Sequence, residues 1–302
     1  MPALIRACRP RQWSKNLLVF AAPMFAFRFQ SVELWWAVAV SLMCFCLLSS
    51  AVYLLNDSLD VEADRMHPRK RYRPIAAGLV SVPQALLTSL GFVILSLLLG
   101  LTVALPLAAV LLLYLVIQLA YCFRLKREPL LDLFCIASGF LLRAVGGGVA
   151  AQLALSPWFL LTVGLLALFL AVEKRKAELN LAEETGVLTR SVLTRYSIPL
   201  LLRLETLVAT SAFISYSLWA AGPALNGAST SWMLLTVPFV LVGIFRYQLL
   251  SDPQEAQRRR QSLEVSGVTT ESPEEILFAD QGIRLTVLAW LGVTALIGVM
   301  VS

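Results

Sequence analysis

Apolar residues along this chain collect into long, almost uncharged blocks, each close to the ~20 residues that cross a hydrocarbon core as a helix. About nine blocks can be drawn, over residues 15–32, 35–56, 82–102, 104–123, 130–151, 156–174, 203–222, 231–250 and 282–301. The first is interrupted by Pro23 and Arg28. Basic residues precede it, but no small-residue cleavage site follows, so it reads as the opening membrane helix rather than a secretory signal. The predicted fold is all-α: a polytopic membrane protein with residues 1–302 in a single transmembrane domain.

The stretches between blocks alternate in charge. The N-terminus and residues 57–81, 124–129, 174–202 and 251–281 carry nineteen Lys and Arg residues, among them Lys126, Arg190, Arg258, Arg259 and Arg260. Residues 32–35, 102–105, 151–156 and 222–231 carry none. The positive-inside rule then makes the first set cytoplasmic. It places the N-terminus inside and, for an odd helix count, the C-terminus outside a plasma (inner) membrane. Trp13, Trp35, Trp36, Trp158 and Trp232, near block ends, suit interfacial anchoring. Composition agrees: 58% of residues are hydrophobic and 15% charged, against about a quarter charged in soluble domains.

The acids add something orientation does not require. Every one of the 19 Asp and Glu residues except Glu33 lies on the cytoplasmic side or at the adjoining helix ends. Positive-inside sorting does not act on carboxylates, so their segregation points to a polar, cytoplasmic-facing active-site cavity. The five cysteines, Cys8, Cys44, Cys46, Cys122 and Cys135, have no metal-finger spacing and read as small apolar residues in packed helices. With His67 the only histidine, a multi-histidine zinc site is excluded by inventory.

The sharpest constellation is Asn56, Asp57, Asp60 and Asp64, where the second block ends. On a helix, 57, 60 and 64 fall along one stripe with Asn56 beside Asp60. Aligned carboxylates repel, and a cation reverses that repulsion. Hard oxygen ligands suit Mg2+, which takes one or two protein carboxylates and completes its shell with water and phosphate. The bland alternative is a solvated acidic helix end. Directly after comes His67-Pro68-Arg69-Lys70-Arg71-Tyr72-Arg73-Pro74. Alone it is a topogenic basic loop; beside a metal stripe, Lys70, Arg71 and Arg73 fit a phosphate clamp.

A third cluster, Glu173-Lys174-Arg175-Lys176-Ala177-Glu178, ends the sixth block. Lys174 and Arg175 can each share a helix face with Glu178, and ordinary topogenic charge with local ion pairs is the competing reading. Arg143 stands inside the otherwise apolar fifth block, before Gly146-Gly147-Gly148. A cation that deep is costly unless paired or hydrated, so it should face an internal cavity, while the glycines permit close helix approach. Lys15 and Asn16, at the start of the first block, are candidates of the same kind.

The run from Asn56 to Asp64 resembles the first aspartate-rich motif of the UbiA superfamily of intramembrane prenyltransferases. The strings Arg9-Pro10-Arg11-Gln12-Trp13-Ser14-Lys15-Asn16, Asn56 through Gly78, Gln118-Leu119-Ala120-Tyr121-Cys122, and Lys174 through Leu179 are similar to its decaprenyl-phosphate phosphoribosyltransferase branch. Such a resemblance implies a UbiA-like bundle and one catalytic domain. Asn56, Asp57, Asp60 and Asp64 would hold Mg2+, with Asp57, Asp60 and Lys174 catalytic. Lys15, Asn16, Lys70, Arg71, Arg73, Tyr121, Lys126, Arg143, Arg175 and Glu178 would bind substrate.

The prenyl diphosphate-using members carry a second aspartate-rich motif. Here no aspartate lies between Asp132 and Asp252, and Lys174, Arg175 and Lys176 stand in the corresponding loop. That exchange suits phosphoribosyl pyrophosphate as donor and a polyprenyl (decaprenyl) phosphate as acceptor. The product would serve cell-wall arabinan precursor synthesis. Membrane lipids are expected partners, a homo-oligomer is left open, and nucleic acid is not among the partners. Two other readings stand beside it: a prenyltransferase acting on an aromatic acceptor, and an anion or lipid-phosphate transporter. A transporter should place charge near the midplane and on both faces, and only Arg143 is that deep.

Overall fold

The computed structural model describes residues 2–27, 31–67, 70–186, 191–252, 255 and 280–301. Arg28, Arg69, Arg190, Arg258, Arg259 and Arg260 lie outside them. Every element described is helical: α1 (Ala3–Ala7), a 3-10 run (Pro10–Phe20), α2 (Ala21–Phe25), α3 (Val32–Leu59), α4 (Val61–Met66), α5 (Val82–Val103), α6 (Leu105–Phe123), α7 (Leu131–Ala150), α8 (Pro157–Thr185), α9 (Ile198–Ala220), α10 (Val237–Ser251) and α11 (Gln281–Val301). Among the described residues eight helices are long and apolar enough to cross a bilayer, the seventh being Ser231–Ser251 with its 3-10 first turns.

The expected first span is the one that differs. Residues 15–25 fall not in one α-helix but in the 3-10 run and the five-residue α2 that continues it, laid along α3: Trp13 bonds Ser50, Asn16 reaches Ser49 and Cys46, and Phe20 stacks on Trp35. Pro10 opens the run, Pro23 lies in α2, and Phe27 turns the chain with a positive φ of 52°. The sixth expected block ends at 174, but α8 continues to Thr185, where Gly186 at φ 69° closes it. Its charged tail stays helical because acids and bases three residues apart pair along it.

Helix starts follow a shared device. Ser31, Ser81, Ser156 and Ser197 each accept a hydrogen bond from the backbone N–H three residues on. A proline in the first turn accompanies the last three, where its missing N–H costs nothing.

The chain separates into two compact units, Met1–Leu125 with Ser138–Leu155, and Lys126–Ala137 with Ser156–Ser302. In the first, α3 packs along α5, and Phe45, Leu48, Leu107, Leu111 and Tyr114 form the core. The Phe45 and Tyr114 rings meet edge-on at 5.5 Å. Lipid tails are as apolar as leucine, so close packing rather than water exclusion holds such helices together. Gly147 illustrates it: a Cβ there would lie 1.8 Å from the Val19 carbonyl oxygen. Gly147→Ala should therefore cost about 1–3 kcal/mol, read as a lower melting temperature of the detergent-solubilised protein; an unchanged melt would contradict the packing. A smaller core of Ala7, Cys8, Leu54, Ile75 and Val80 ties the N-terminal segment and the 74–80 loop to the end of α3.

In the second unit α8 packs along α9, and α10 along α11. Leu133, Val172, Leu193, Tyr196 and Leu201 form one core, and Phe169, Ala209, Ile244, Tyr247 and Ile283 another. Exposed faces such as Leu87, Leu90, Leu98 and Leu101 on α5 are apolar, as a lipid-facing surface requires.

Candidate active site

The acidic stripe is bent. α3 ends at Leu59, and Asp60, at φ −95° and ψ 11°, caps it and starts α4. Asp57 lies in the last turn of α3 and Asp64 in α4; both are buried, at 3% exposure each. Asn56 and Asp60 are half-buried. Seven residues make two helical turns, so Asp57 and Asp64 still converge across the bend. Arg73 Nη1 donates to Asp57 Oδ1 at 3.1 Å and to Asp64 Oδ2 at 2.6 Å. Arg9 Nη2 donates to both Asp57 oxygens, at 2.6 and 2.8 Å. Buried carboxylates demand such partners.

Could these residues hold Mg2+? Among the described residues no group of three or more His, Cys, Asp or Glu forms a cage. Magnesium does not need one: two carboxylates, with water and phosphate oxygens, are its usual protein share. Two buried carboxylates that one guanidinium nitrogen can bridge, backed by further hard oxygen donors, fit the ion.

The basic loop divides. Arg73 is bound to the acids. Arg71 is exposed, with Nη2 donating to Tyr72 Oη at 2.7 Å. Lys70 is half-buried, its backbone N–H donating to His67 Nδ1 at 3.3 Å. Arg9 has the most direct hold on Asp57, and sequence reasoning had placed it only in a topogenic segment and a family string. Its distance of 48 positions from Asp57 left no local spacing to read.

Arg143 is buried within the first unit. Its Nε donates to Asn16 Oδ1 at 2.7 Å, Nη1 to the Gly139 carbonyl at 2.6 Å and Nη2 to Tyr114 Oη at 3.0 Å. Asn16 Nδ2 reaches Ser49 Oγ at 3.3 Å and Cys46 Sγ at 3.2 Å. The three hydrogen-bond partners of Arg143 are neutral, so its charge is solvated by dipoles and by the Tyr114 ring, 4.9 Å away, but not cancelled. Lys15, next to Asn16, and Tyr121, on α6, are half-buried.

The third cluster lies within the second unit. Arg175 is fully buried at 0% exposure, as is Asp132. Arg175 Nε donates to Asp132 Oδ2 at 2.7 Å, and Nη1 pairs with Glu178. Tyr196 Oη donates to Asp132 Oδ1 at 2.7 Å and accepts from the Leu130 N–H at 2.7 Å. Burial and the anionic Asp132 acceptor raise the Tyr196 phenol above its ordinary range, so it stays a neutral donor. Lys176 pairs with Glu173 at 2.8 Å and with Glu205, and Gln248 Nε2 donates to Glu205 at 2.9 Å. Two of the three cations are thus each held by two carboxylates. Lys174 and Lys126 are half-buried rather than enclosed.

A profile of the UbiA prenyltransferase family matches residues 17–268. The chain belongs to the UbiA prenyltransferase family. Similar proteins include the decaprenyl-phosphate phosphoribosyltransferase of Mycolicibacterium smegmatis, 41% identical over 303 residues, covering 96% of this chain and 90% of that protein. The protein of the same name from Corynebacterium glutamicum is 39% identical over 299 residues, covering 95% and 84%. Among solved structures, a UbiA homolog from Archaeoglobus fulgidus bound to GPP and Mg2+ superposes with a TM-score of 0.69 at 19% identity, covering 97% of this chain and 99% of that one. The apo UbiA homolog from Aeropyrum pernix K1 gives 0.60 at 16% identity, covering 92% and 96%. At such identities the likeness carries the fold alone: this chain has the UbiA all-helical membrane fold. Within this UbiA-family chain, the first unit gathers buried charged side chains at two places. At the end of α3, carboxylates and guanidinium groups neutralise one another. Around Arg143, a buried cation has neutral hydrogen-bond partners among the described residues.

Proposed function

We propose that this protein transfers the 5-phosphoribosyl group of phosphoribosyl pyrophosphate to a polyprenyl (decaprenyl) phosphate, releasing diphosphate. The observation that carries the reading is 41% identity, over nearly the whole length of both chains, to a protein named for that activity. The UbiA homolog bound to Mg2+ supports magnesium as the metal. Asp57 and Asp64, with Asn56 and Asp60 beside them, would hold it. The ion supplies positive charge to the leaving diphosphate.

The remaining work falls to the chain's own cations. Lys70, Arg71 and Arg73 bind phosphate oxygens, and Lys174 and Lys126 bind a second phosphate group. Arg143, whose Nε donates to Asn16, attracts an anion by its charge, and Lys15, Asn16 and Tyr121 bind substrate. Arg175, with Glu178, keeps the α8 segment that carries Lys174 in shape. The acceptor is already an anion, so no strong general base is needed. What must be overcome is repulsion between two anionic substrates, and fixed positive charge does that.

Residues 1–302 act as one catalytic domain, with the N-terminus and the charged helix ends at the cytoplasmic face of the inner membrane. The charge asymmetry of the loops supports this orientation. Its check is cysteine labelling, with low background because all five native cysteines are buried. An impermeant maleimide added outside should label Ala154→Cys and not Arg127→Cys, both at exposed positions. Labelling of Arg127→Cys from outside would invert the topology.

The reaction itself is tested with purified protein, polyprenyl phosphate, Mg2+ and donor labelled in the ribose carbons. Label should enter the organic phase as free diphosphate appears. Label entering lipid only from a prenyl diphosphate with an aromatic acceptor would replace this reading by an ordinary prenyltransferase.

A further inference from the structure

The acidic end of α3 holds more positive charge than its own sequence neighbourhood supplies. Asp57 and Asp64 are matched by Arg9 and Arg73, which bridge them with four contacts between 2.6 and 3.1 Å. Two buried carboxylates and two guanidinium groups make a cluster of zero formal charge. Arg9 is held there against its backbone preference. It adopts φ 54° and ψ 60°, a left-handed conformation that costs a non-glycine residue, and Pro10 behind it restricts it further.

Its flanks are fastened to make this possible. Ser50 Oγ lies 3.1 Å from the Cys8 carbonyl oxygen, and Trp13 Nε1 donates to the same Oγ at 3.0 Å. Ala7 and Cys8 pack with Leu54 and Ile75. The Arg9 side chain itself is 28% exposed and rests 4.8 Å from the Tyr53 ring centroid, so its head is free to exchange partners while its backbone is fixed.

With Asp60 beside these four groups the formal sum is one negative charge, so a divalent ion arriving alone would leave the site net positive and meet repulsion from Arg9 and Arg73. A diphosphate arriving with it restores the balance. We propose that Arg9 is a further ligand-binding residue of this site and acts as an exchangeable counter-ion. It holds the Asp57 carboxylate until a metal takes it, then donates to the diphosphate oxygens, so that metal and diphosphate bind as a coupled pair. This rests on the assignment of metal and diphosphate to the acidic end given above. Such coupling is reciprocal: diphosphate raises metal affinity by the factor by which metal raises diphosphate affinity.

The test uses the full-length protein in detergent, Mn2+ as an EPR-visible probe and inorganic pyrophosphate, with no lipid and no turnover. Free Mn2+ is corrected with protein-free pyrophosphate controls. Wild type should bind Mn2+ weakly alone and about tenfold or more tightly with pyrophosphate. Arg9→Gln should tighten Mn2+ binding in the absence of pyrophosphate by about tenfold, because a competing cation is gone, and should shrink the coupling. A merely structural Arg9 would instead weaken Mn2+ binding on substitution. If Arg9→Gln folds poorly, Arg9→Gly, which adopts the left-handed conformation freely, gives the same measurement. Asp57→Asn separates the two claims. If it binds Mn2+ as wild type does, the metal assignment fails. If it loses Mn2+ while the Arg9 variants bind like wild type with and without pyrophosphate, the Arg9 proposal alone is overturned.

Discussion

Asp57→Asn should lower phosphoribosyl transfer by more than about a hundredfold, the loss expected when a metal's own ligand, rather than an outer partner, is removed. The substitution is isosteric. It keeps one oxygen that can accept from Arg9 and Arg73, and it removes the charge and turns the second acceptor into an amide donor. Asp57 is buried, yet its two partners, Arg9 and Arg73, are 28% and 27% exposed. Water can therefore take up much of the unbalanced charge, and Asp64 still holds Arg73 at 2.6 Å. The stability cost should stay near the ~1 kcal/mol of a partly solvated ion pair. Turnover and melting temperature should thus separate: the first collapses, the second barely moves. EDTA should silence the wild type, with recovery on added Mg2+. Full transfer by Asp57→Asn, or in EDTA, would take the metal out of the reaction.

The membrane helices were legible because lipid demands long apolar runs. α5, α6 and α11 begin and end within a residue or two of the expected bounds. The first block misled for a physical reason. Its composition suits a span, but Pro23 and a left-handed Phe27 keep it from being one α-helix, and it runs instead as a 3-10 stretch continued by the short α2. The end of α8 was legible in part: Arg175 and Glu178 share the helix face that their spacing suggested, while the residues beyond 174 were counted with the loops although α8 runs on to Thr185, with Lys176 paired to Glu173.

Within the site, spacing revealed what lies on one helix and concealed what tertiary structure adds. Asp57 and Asp64 could be aligned from sequence, but not Arg9. Arg143 could be expected to seek polar company, and Asn16 was noted separately, yet nothing local joined residues 127 positions apart. Lys176 looked like one more cation until the fold placed Glu205 against it, 29 positions away. Net charge along a segment is a poor guide to charge at a site when the neutralising groups come from other helices.

Arg175 and Lys174 make the sharpest use of that lesson, since they are adjacent and should fail differently. Arg175 has 0% exposure and serves two carboxylates with its planar fork. Arg175→Ala takes from Asp132, itself fully buried, its charged partner and leaves the Tyr196 hydroxyl among its described partners. Breaking a buried pair by removing one partner costs about 3–5 kcal/mol, and Arg175→Lys should recover only part of it because a point charge cannot span both acids. The expected result is poor folded yield and a much lower melting temperature. Lys174 is half-buried on the same helix, and Lys174→Ala should leave the melt near wild type. Its loss should appear in donor binding, by about 1.5–3 kcal/mol for a hydrogen bond to a charged group, or from about tenfold to more than a hundredfold in Kd. Calorimetric titration with phosphoribosyl pyrophosphate, beside thermal melts of each variant, reads both quantities. A stable Arg175→Ala protein that has lost only donor affinity would move Arg175 from scaffold to ligand. A Lys174→Ala protein that binds donor normally would leave the donor's second phosphate to other cations of the chain.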